Sequence, residues 1–501
     1  MAPFAMKIDL ARFSGVSEKR ELCFAVIGAG MSGLLSAIRL RQAGYEQVTI
    51  YEKGDSIGGT WRENTYPGIA CDVPSHLYRY SFAPNPEWST RFAPGAEIRA
   101  YFENAAREFG VYDRIRFGEE IARCAFEDGR WHLETKNGLT DEADFVIAAT
   151  GILHHPKQPD IAGLDDFAGD CFHSAQWDHD VSIEGKRVGV IGTGATGVQI
   201  VSHIADRASR LSVFQRTAQW VMYQENKPYR DADRDAFRDD PQRMQELYKE
   251  MSKRHIDNFS DAVVDADSAG MQVLEAACRE SLEMGVENPV LRERLRPDYR
   301  AACKRLVMSP DFYRVMQQPQ VELVTEAITR AEAGGVRTRD DRLHELDVLV
   351  LATGFHVDRF FRPMQLVGRN GLHIDDVWAE RPVIYHSISI PEFPNFFMVN
   401  GPQSPIGNFS LVEIAELQFE YILQLIELVR SGRCREVSAR DDAMRRLEAA
   451  RIEAAQKTIW VTGCRSWYLD DRGVPITWPW TFERFRQEME KPRLEDYALI
   501  G

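Results

Sequence analysis

A glycine-rich turn occurs twice in this chain, each time between a predicted apolar strand and a predicted helix. The first turn, GAGMSG, follows the apolar run at 22–27, and the second, GTGATG, follows the run at 186–191. The glycines of the two turns are Gly28, Gly30 and Gly33 in the first and Gly192, Gly194 and Gly197 in the second. A strand, a G-x-G-x-x-G turn and a helix together place the free N–H groups of the helix N-terminus beside a pyrophosphate. The sequence therefore predicts an α/β fold with two Rossmann-like dinucleotide-binding domains.

The charge that follows each turn differs between the two copies. The strand after the first turn ends at Glu52, and the equivalent position of the second copy is Arg216, with Thr217 beside it as a second predicted contact. A carboxylate accepts a hydrogen bond from a ribose 2′-hydroxyl but repels a 2′-phosphate, whereas a guanidinium binds that phosphate. The first site is therefore predicted to take an adenine dinucleotide without the extra phosphate, and the second to take NADP. The alternative, two sites for the same cofactor, leaves the reversal of charge unexplained.

Composition and charge exclude several other classes of function. The 501 residues carry a formal net charge of −15, which disfavours binding to nucleic acid. The eight cysteines include no C-x-x-C pair, which argues against a disulfide framework, a dithiol redox centre or a metal site. No apolar run approaches the roughly 18 residues of a membrane-spanning helix, and the N-terminal arm is too polar for a secretory signal. We therefore expect a soluble, cytoplasmic protein in a reducing compartment.

Two further apolar strands mark where the chain is predicted to cross between the two domains. They run to Thr150-Gly151 and to Thr353-Gly354, and each is short enough for a buried strand of a parallel sheet. A segment dense in charges of both signs predicts a largely solvated helical insertion in the second domain. The predicted division is a first domain at 1–152, a second at 153–225, the helical insertion at 226–302, a return to the second domain at 303–384 and a return to the first at 385–501.

Two motifs resemble those of the type I Baeyer–Villiger monooxygenases. The stretch from Gly58 to Asp72 matches G-G-x-W-x-x-x-x-Y-P-G-x-x-x-D at every defined position. Between the two predicted dinucleotide sites, the fingerprint F-x-G-x-x-x-H-x-x-x-W-D is matched by Phe167, Gly169, His173, Trp177 and Asp178. Taken alone, that stretch is a linker with packing aromatic rings and one hydrogen-bonded histidine. With two unlike dinucleotide sites beside it, the resemblance covers most of the chain and thins between about 226 and 302.

For the first dinucleotide site, the resemblance implies FAD. Gly59, Thr60 and Trp61 would then lie along the flavin. A helix that begins near Ser410 would point its N-terminus at the flavin pyrimidine end, where its dipole stabilises negative charge on the reduced ring. Without the resemblance, this helix is an ordinary capped helix after a Pro/Gly loop.

For the second site, the resemblance implies NADPH and a catalytic pair of charges. The family has a carboxylate beside the flavin that pairs with an active-site arginine, and these positions are matched by Asp72 and Arg305. Lys304 matches the lysine that helps to bind the NADP 2′-phosphate. Near the C-terminus, a looser match assigns Trp467 to a loop that covers the nicotinamide, and its alternative is a core tryptophan.

The function implied by this resemblance is an FAD- and NADPH-dependent Baeyer–Villiger monooxygenase. Such an enzyme uses O₂ to convert a small-molecule ketone into an ester or lactone through a flavin peroxide, while NADP⁺ stays bound. One alternative is a flavin-containing monooxygenase that oxygenates amine or sulfide heteroatoms, but Trp177 and Asp178 differ from the usual end of that family's fingerprint. A flavin-binding protein without turnover is the other alternative. The predicted partners include no nucleic acid and no membrane, and no oligomeric state is predicted.

Overall fold

A computed structural model describes residues 21–407 and 409–501. The N-terminal arm, predicted to be too polar for a secretory signal, lies outside the described residues, as does Asn408. None of the helices in the described ranges combines the length and the hydrophobicity needed to cross a bilayer.

The described strands and helices alternate along most of the chain. The strands are β1 (Cys23–Ile27), β2 (Gln47–Glu52), β3 (Ile115–Phe117), β4 (Ile121–Glu127), β5 (Arg130–Thr135), β6 (Thr140–Ala143), β7 (Phe145–Ala148), β8 (Asp170–His173), β9 (Arg187–Ile191), β10 (Arg210–Phe214), β11 (Val221–Met222), β12 (Val307–Met308), β13 (Val321–Val324), β14 (Ile328–Glu332), β15 (Gly335–Thr338), β16 (Leu343–Glu345), β17 (Val348–Leu351), β18 (Gln365–Val367), β19 (Phe396–Met398), β20 (Glu436–Ala439) and β21 (Tyr497–Ile500). The helices are α1 (Met31–Gln42), α2 (Thr60–Glu63), α3 (Gly95–Glu108), α4 (Ala195–Ile204), α5 (Asp231–Asp239), α6 (Pro241–His255), α7 (Ala269–Gly285), α8 (Pro289–Leu295), α9 (Phe312–Val315), α10 (Ile374–Val377), α11 (Leu411–Arg430), α12 (Asp441–Ala455) and α13 (Phe482–Glu490).

The first domain is built on a five-stranded parallel sheet with the order β19-β7-β1-β2-β3. Its central strands β1 and β7 are apolar and almost wholly buried, as expected for parallel strands that are covered on both faces. Leu34 of α1 and Phe419 of α11 belong to the same buried cluster as Phe24 of β1. Because β1 runs directly into the first glycine turn, that turn lies at the carboxyl edge of the sheet.

The second domain repeats this arrangement with the parallel order β13-β10-β9-β17-β8. Here β9 occupies the place of β1 and runs into the second glycine turn, and α4 follows that turn. The predicted α/β fold with two Rossmann-like domains is confirmed.

The chain returns to the first domain earlier than the sequence analysis predicts. Strand β18 pairs in parallel with β4 in a four-stranded sheet of the order β18-β4-β5-β6. Phe360, Leu366 and Trp378 share a buried cluster with residues of β1 and β7. All three lie within 303–384, which the prediction assigns to the second domain. The sequence does not reveal this boundary because apolar residues after β17 carry no mark of the sheet that they join.

The charged segment that predicts a helical insertion contains α5 to α8. Three of these helices begin with side-chain caps that accept hydrogen bonds from free backbone N–H groups, as is usual for helix N-termini. The capping residues are Asp240 for α6, Ser268 for α7 and Asn288 for α8. One face of α7, with Met271, Leu274 and Cys278, packs into the core of the second domain. The insertion is therefore anchored by α7, while much of α5 and α6 is exposed.

One sequence prediction about the cysteines is wrong. Cys303 and Cys464 form a disulfide, with Cα atoms 6.1 Å apart and a separation of 161 residues along the chain. The absence of a C-x-x-C pair excludes only a local pairing. A bond between residues so distant in sequence depends on how the two domains fold together.

Glu416 on α11 gives the stability of the first domain a dependence on pH. Its carboxylate accepts a hydrogen bond of 2.7 Å from the backbone N–H of Ser81, and burial raises the pKa of this carboxyl to about 7. The folded state thus binds this proton more tightly than the unfolded state. The contribution of the protonated Glu416 carboxyl to stability is therefore fully present below about pH 4.5 and is lost as the pH rises through about 7. We expect Glu416→Gln to raise the melting temperature by about 2 °C at pH 8 and to leave it unchanged at pH 5.

Thermal unfolding at the two pH values measures this effect, with Glu453→Gln on the exposed face of α12 as the control. An equal change in melting temperature at pH 5 and pH 8 would contradict the prediction.

Candidate functional site

A deep cleft of about 2070 Å³ extends from the first glycine turn to the second. The predicted site residues that line it are Gly28, Gly30, Glu52, Gly59, Thr60, Trp61, Asp72, Gly192, Gly194, Arg216, Thr217, Lys304, Arg305 and Trp467. Gly33 and Gly197 lie behind the turns, and the five fingerprint residues are not part of the wall. The two predicted cofactor sites therefore open into one space, in which a group bound at one site can face a group bound at the other.

In the first turn, two glycines are required by the packing of the protein itself. A Cβ on Gly28, whose φ is +104°, would lie 2.7 Å from the carbonyl oxygen of Ala149, and a Cβ on Gly33 would lie 1.8 Å from the carbonyl oxygen of Gly28. The middle glycine is different. Gly30 has an extended backbone, and the nearest atom to its added Cβ is the Cα of Gly59 at 3.5 Å. The protein itself would tolerate a side chain at Gly30, so a glycine there fits a group that binds in the cleft.

The second turn shows the same division of roles. A Cβ on Gly192 would lie 2.4 Å from the carbonyl oxygen of Ala352, and a Cβ on Gly197 would lie 2.1 Å from that of Gly192. Around Gly194 no atom lies within 4 Å of an added Cβ. Both turns thus form a cradle over a helix N-terminus that fits a pyrophosphate, whose oxygens accept from the free N–H groups.

Glu52 is held at the end of β2, beside the first turn. Its Oε2 accepts a hydrogen bond of 2.8 Å from the N–H of Ala29, and its Oε1 accepts one of 2.8 Å from the N–H of Gly54. The guanidinium of Arg62 lies 2.6 Å from Oε1. These contacts fix the carboxylate at the cleft wall, where its remaining lone pairs can accept from a ribose hydroxyl.

Two cations lie together at the opposite end of the cleft. Arg216 is exposed there, and the Nζ of Lys304 lies 4.5 Å from the ring centroid of Tyr299. Burial lowers the pKa of Lys304, and the positive charge of Arg216 lowers it further. Thr217 beside them accepts a hydrogen bond of 3.2 Å from the hydroxyl of Thr193, which ties this corner to the second glycine turn. Neighbouring like charges favour an anion between them, so this corner is suited to a phosphate.

Gly59, Thr60 and Trp61 form the wall next to the first turn. Gly59 has a φ of +53°, and an added Cβ would lie 3.1 Å from the Cα of Gly30, so the two backbones face each other closely. Helix α2 begins at Thr60, and the indole N–H of Trp61 donates to the hydroxyl of Tyr78 at 3.3 Å. This wall presents backbone and one fixed indole ring to the cleft.

Asp72 and Arg305 form an ion pair at the cleft wall, although 233 residues separate them along the chain. The Nη2 of Arg305 donates to the Oδ2 of Asp72 at 2.6 Å, and about a third of each side chain is exposed. The negative charge of Asp72 raises the pKa of Arg305 above its usual range. The guanidinium is therefore charged at every pH at which the protein is folded, and it keeps N–H groups free to face the cleft.

The Tyr-Pro-Gly segment of the Gly58–Asp72 motif joins the two domains. The hydroxyl of Tyr66 donates to the side-chain oxygen of Gln199 on α4 at 2.9 Å. A Cβ on Gly68 would lie 2.1 Å from the Nδ1 of His203, on the same helix. Gly68 also has a φ of +85°, a conformation that favours glycine, so this segment packs closely on α4 of the second domain.

His173 of the fingerprint fixes the point where the chain crosses between domains. It ends β8, next to β17, and its Nε2 lies 3.1 Å from the carbonyl oxygen of Gly354, while its Nδ1 accepts from the N–H of Ala175 at 3.1 Å. Burial lowers the pKa of His173, so the neutral ring with its proton on Nε2 satisfies both contacts.

The other fingerprint residues also contact the protein itself near the point where the chain crosses between the domains. A Cβ on Gly169 would lie 2.4 Å from the carbonyl oxygen of Asp347 and 2.7 Å from the ring of Phe167, which is buried. Trp177 packs edge-to-face on Phe172. Asp178 is exposed and accepts from a backbone N–H two residues later. The fingerprint therefore positions the crossing and does not touch the cleft directly.

Helix α11 presents its N-terminus to the cleft, close to the position predicted for it. Ser410 is its N-cap, and Leu411 lines the wall. The side-chain amide of Asn400 donates to the hydroxyl of Ser32 at 3.0 Å and to the carbonyl of Leu411 at 3.2 Å. Asn400 thus ties the beginning of α11 to the first turn of α1.

The C-terminal loop brings Trp467 to the cleft and adds a residue that the sequence analysis missed. Trp467 is half-buried, with its ring centroid 4.2 Å from that of Tyr468. Tyr468 is 2% exposed and interacts with Arg305. The sequence carries no local signal for this contact, because the disulfide of Cys303 and Cys464 that brings the two segments together is itself seen only in the structure.

The chain is similar in sequence and in structure to known flavin-binding monooxygenases. The family model for flavin-binding monooxygenase-like proteins matches residues 21–232. A Baeyer–Villiger monooxygenase of Streptomyces coelicolor is 38% identical over 485 residues, which cover 95% of this chain and 92% of that protein. An uncharacterised monooxygenase of Mycobacterium tuberculosis is 48% identical over 477 residues, 95% of each chain. The crystal structure of the OTEMO complex with FAD and NADP superposes with a TM-score of 0.86 at 26% identity, covering 96% of this chain and 100% of that one.

Proposed function

Since the chain belongs to the Baeyer–Villiger monooxygenase family of flavin-binding monooxygenases, we propose that it uses FAD, NADPH and O₂ to convert a ketone into an ester or lactone. One oxygen atom of O₂ enters the product beside the carbonyl carbon, and the other leaves as water. The observation that carries the proposal is the ion pair of Asp72 and Arg305, which lies on the wall of a cleft shared by two dinucleotide cradles.

FAD is assigned to the first cradle and NADPH to the second. Glu52 at the first cradle accepts from a ribose hydroxyl and repels a phosphate at that position. At the second cradle, Arg216 and Lys304 supply the positive charge that a 2′-phosphate requires. Bound FAD supplies the chemistry that accepts a hydride from NADPH and activates O₂.

Arg305 is assigned the electrostatic role in the oxygen transfer. Attack on a ketone carbonyl places negative charge on the carbonyl oxygen, and a fixed guanidinium lowers the energy of that charge without reorganising. Asp72 holds the guanidinium in one orientation through the 2.6 Å contact and leaves the other N–H groups for the substrate. Trp467 is assigned to cover the nicotinamide, because it lines the cleft on the loop next to Arg305.

The test of this function is a panel of linear, cyclic and aromatic ketones, with alkyl sulfides and tertiary amines as the competing substrates. We expect ketone-dependent oxidation of NADPH, with an ester or lactone detected by mass spectrometry and labelled by one atom of ¹⁸O₂. Oxygenation of the sulfides or amines without any ester would establish heteroatom oxygenation instead. A protein that binds FAD but consumes NADPH with none of these substrates would overturn the assignment as an enzyme of this type.

Arg216 gives a prediction about cofactor choice. We expect Arg216→Ala to raise the KM for NADPH roughly tenfold to a hundredfold, because it removes a charged contact to a phosphate that does not react. The maximal rate should stay unchanged, since such a contact is equally strong before and during the reaction. The KM for NADH, which lacks the phosphate, should not change.

Steady-state kinetics with both nicotinamides measure this effect. Arg210→Ala is the matched control, because Arg210 begins β10, the strand that directly precedes Arg216, but pairs with Glu322. The assignment of the phosphate site is wrong if Arg216→Ala changes the KM values for NADPH and NADH by the same factor, or if it changes neither value.

A further inference from the structure

Arg305 has a second partner besides Asp72. The phenol of Tyr468 approaches the guanidinium from the C-terminal loop and interacts with its positive charge. Burial raises the pKa of Tyr468, so the phenol remains protonated and neutral. The guanidinium is thus held from two sides, by a carboxylate of the first domain and by a phenol of the C-terminal loop.

The position of the Tyr468 hydroxyl is defined closely by its surroundings. A Cβ on Gly407, whose φ is +86°, would lie 2.1 Å from this hydroxyl, so the phenol passes over a position that has no room for a side chain. The ring lies against Trp460 and Trp467, with centroid distances of 5.6 and 4.2 Å. These contacts leave the ring little freedom to move.

The segments that carry Arg305 and Tyr468 are also joined directly. The disulfide joins Cys303, two residues before Arg305, to Cys464, four residues before Tyr468. The hydroxyl of Ser466 donates to the carbonyl oxygen of Cys303 at 3.4 Å. The backbone distance between Arg305 and Tyr468 is therefore set by a covalent bond and a hydrogen bond.

We propose that Tyr468 is a positioning residue for the oxygen transfer, which it serves by fixing the guanidinium of Arg305 together with Asp72. This inference rests on the proposed function. Asp72 alone holds one edge of the Arg305 guanidinium, so the guanidinium could still rotate about its contact with Asp72. The phenol of Tyr468, on another side of the guanidinium, restricts this rotation. Tyr468 is not part of the cleft wall and therefore acts through Arg305 and not on the substrate.

The test is Tyr468→Phe, which keeps the buried ring and removes the hydroxyl. Loss of a polar contact to a charged group typically costs more than about 1 kcal/mol, so we expect the yield of oxygenated product per NADPH consumed to fall roughly tenfold. The difference should appear as hydrogen peroxide. Anaerobic reduction of the flavin by NADPH, the KM for NADPH and the melting temperature should stay unchanged.

A second measurement reports on Arg305 without any turnover. The FAD-loaded protein, without nicotinamide, is treated with phenylglyoxal, and modification of Arg305 is followed by peptide mass spectrometry. We expect Arg305 to react several times faster in Tyr468→Phe than in the wild type, because its guanidinium is less well held. The control is Tyr497→Phe, which removes another buried hydroxyl whose partner is Tyr421; it should change neither measurement.

The proposal requires both effects in Tyr468→Phe and neither in Tyr497→Phe. It is overturned if product yield falls while the labelling of Arg305 stays at the wild-type rate, if labelling rises without a loss of product, or if the two variants behave alike. If the wild type oxygenates a sulfide instead of a ketone, the proposed function fails while both measurements, made with that sulfide, still decide the role of Tyr468.

Discussion

Arg305→Ala is expected to leave the reduction of FAD by NADPH at nearly the wild-type rate and to abolish ester formation. Hydride transfer would place negative charge on the flavin ring, and in the proposed arrangement the N-terminus of α11 would support that charge through the helix dipole without this arginine. In the proposed arrangement, oxygen transfer would create negative charge beside Asp72 and Arg305. Loss of one preorganised donor to such a charge typically lowers the rate on the order of a hundredfold to a thousandfold.

Rapid mixing separates the two steps. Anaerobic bleaching of the flavin absorbance reports reduction, and product analysis after O₂ and ketone are admitted reports oxygenation, with hydrogen peroxide as the diverted product. Arg300→Ala is the matched control, because Arg300 lies on the same segment, has a similar exposed fraction and is paired with Glu275. A normal ester yield in Arg305→Ala would contradict its assigned role, and a failure of bleaching would move that role to the binding of NADPH.

Substitution of the middle glycine of either turn, Gly30 or Gly194, is expected to cause a large loss of cofactor binding. We expect Gly30→Ala to fold normally but to be purified without FAD, and Gly194→Ala to keep FAD but to lose affinity for NADPH on the order of a hundredfold. Both residues have extended backbones, and an added Cβ at either position meets no close protein atom. Each methyl group would therefore oppose only the bound pyrophosphate.

Two further variants make this test specific. Gly28→Ala should lower the melting temperature, because the new Cβ would lie 2.7 Å from the carbonyl oxygen of Ala149 on a backbone with positive φ. Gly334→Ala, where the protein also leaves open space, should change neither cofactor. Flavin absorbance of the purified protein and equilibrium titration with NADPH measure the outcome. Wild-type FAD content in Gly30→Ala, or unchanged NADPH affinity in Gly194→Ala, would show that the corresponding glycine turn does not bind the pyrophosphate of that cofactor.

The fold class and the two turns could be predicted from the sequence alone because the information is local. A strand, a glycine turn and a helix occupy consecutive residues, and the strands β1 and β9 are buried on both faces, so their apolar character is continuous. The contrast between Glu52 and Arg216 is equally local, since each residue follows its own turn at the same interval. The pairing of Asp72 with Arg305 came from the family resemblance, because nothing in either segment by itself points to the other.

The features that the sequence did not reveal depend on contacts between distant segments. The disulfide of Cys303 and Cys464, the pairing of β18 with β4 and the contact of Tyr468 with Arg305 each join residues that share no local pattern. The tertiary structure also divided the motif residues by role. It placed Gly30 and Gly194 at the open cleft, and it placed Gly169 against a backbone carbonyl oxygen that excludes any side chain. The sequence shows a glycine in both cases. Whether its Cα faces the cleft or neighbouring protein atoms is decided only by the tertiary structure.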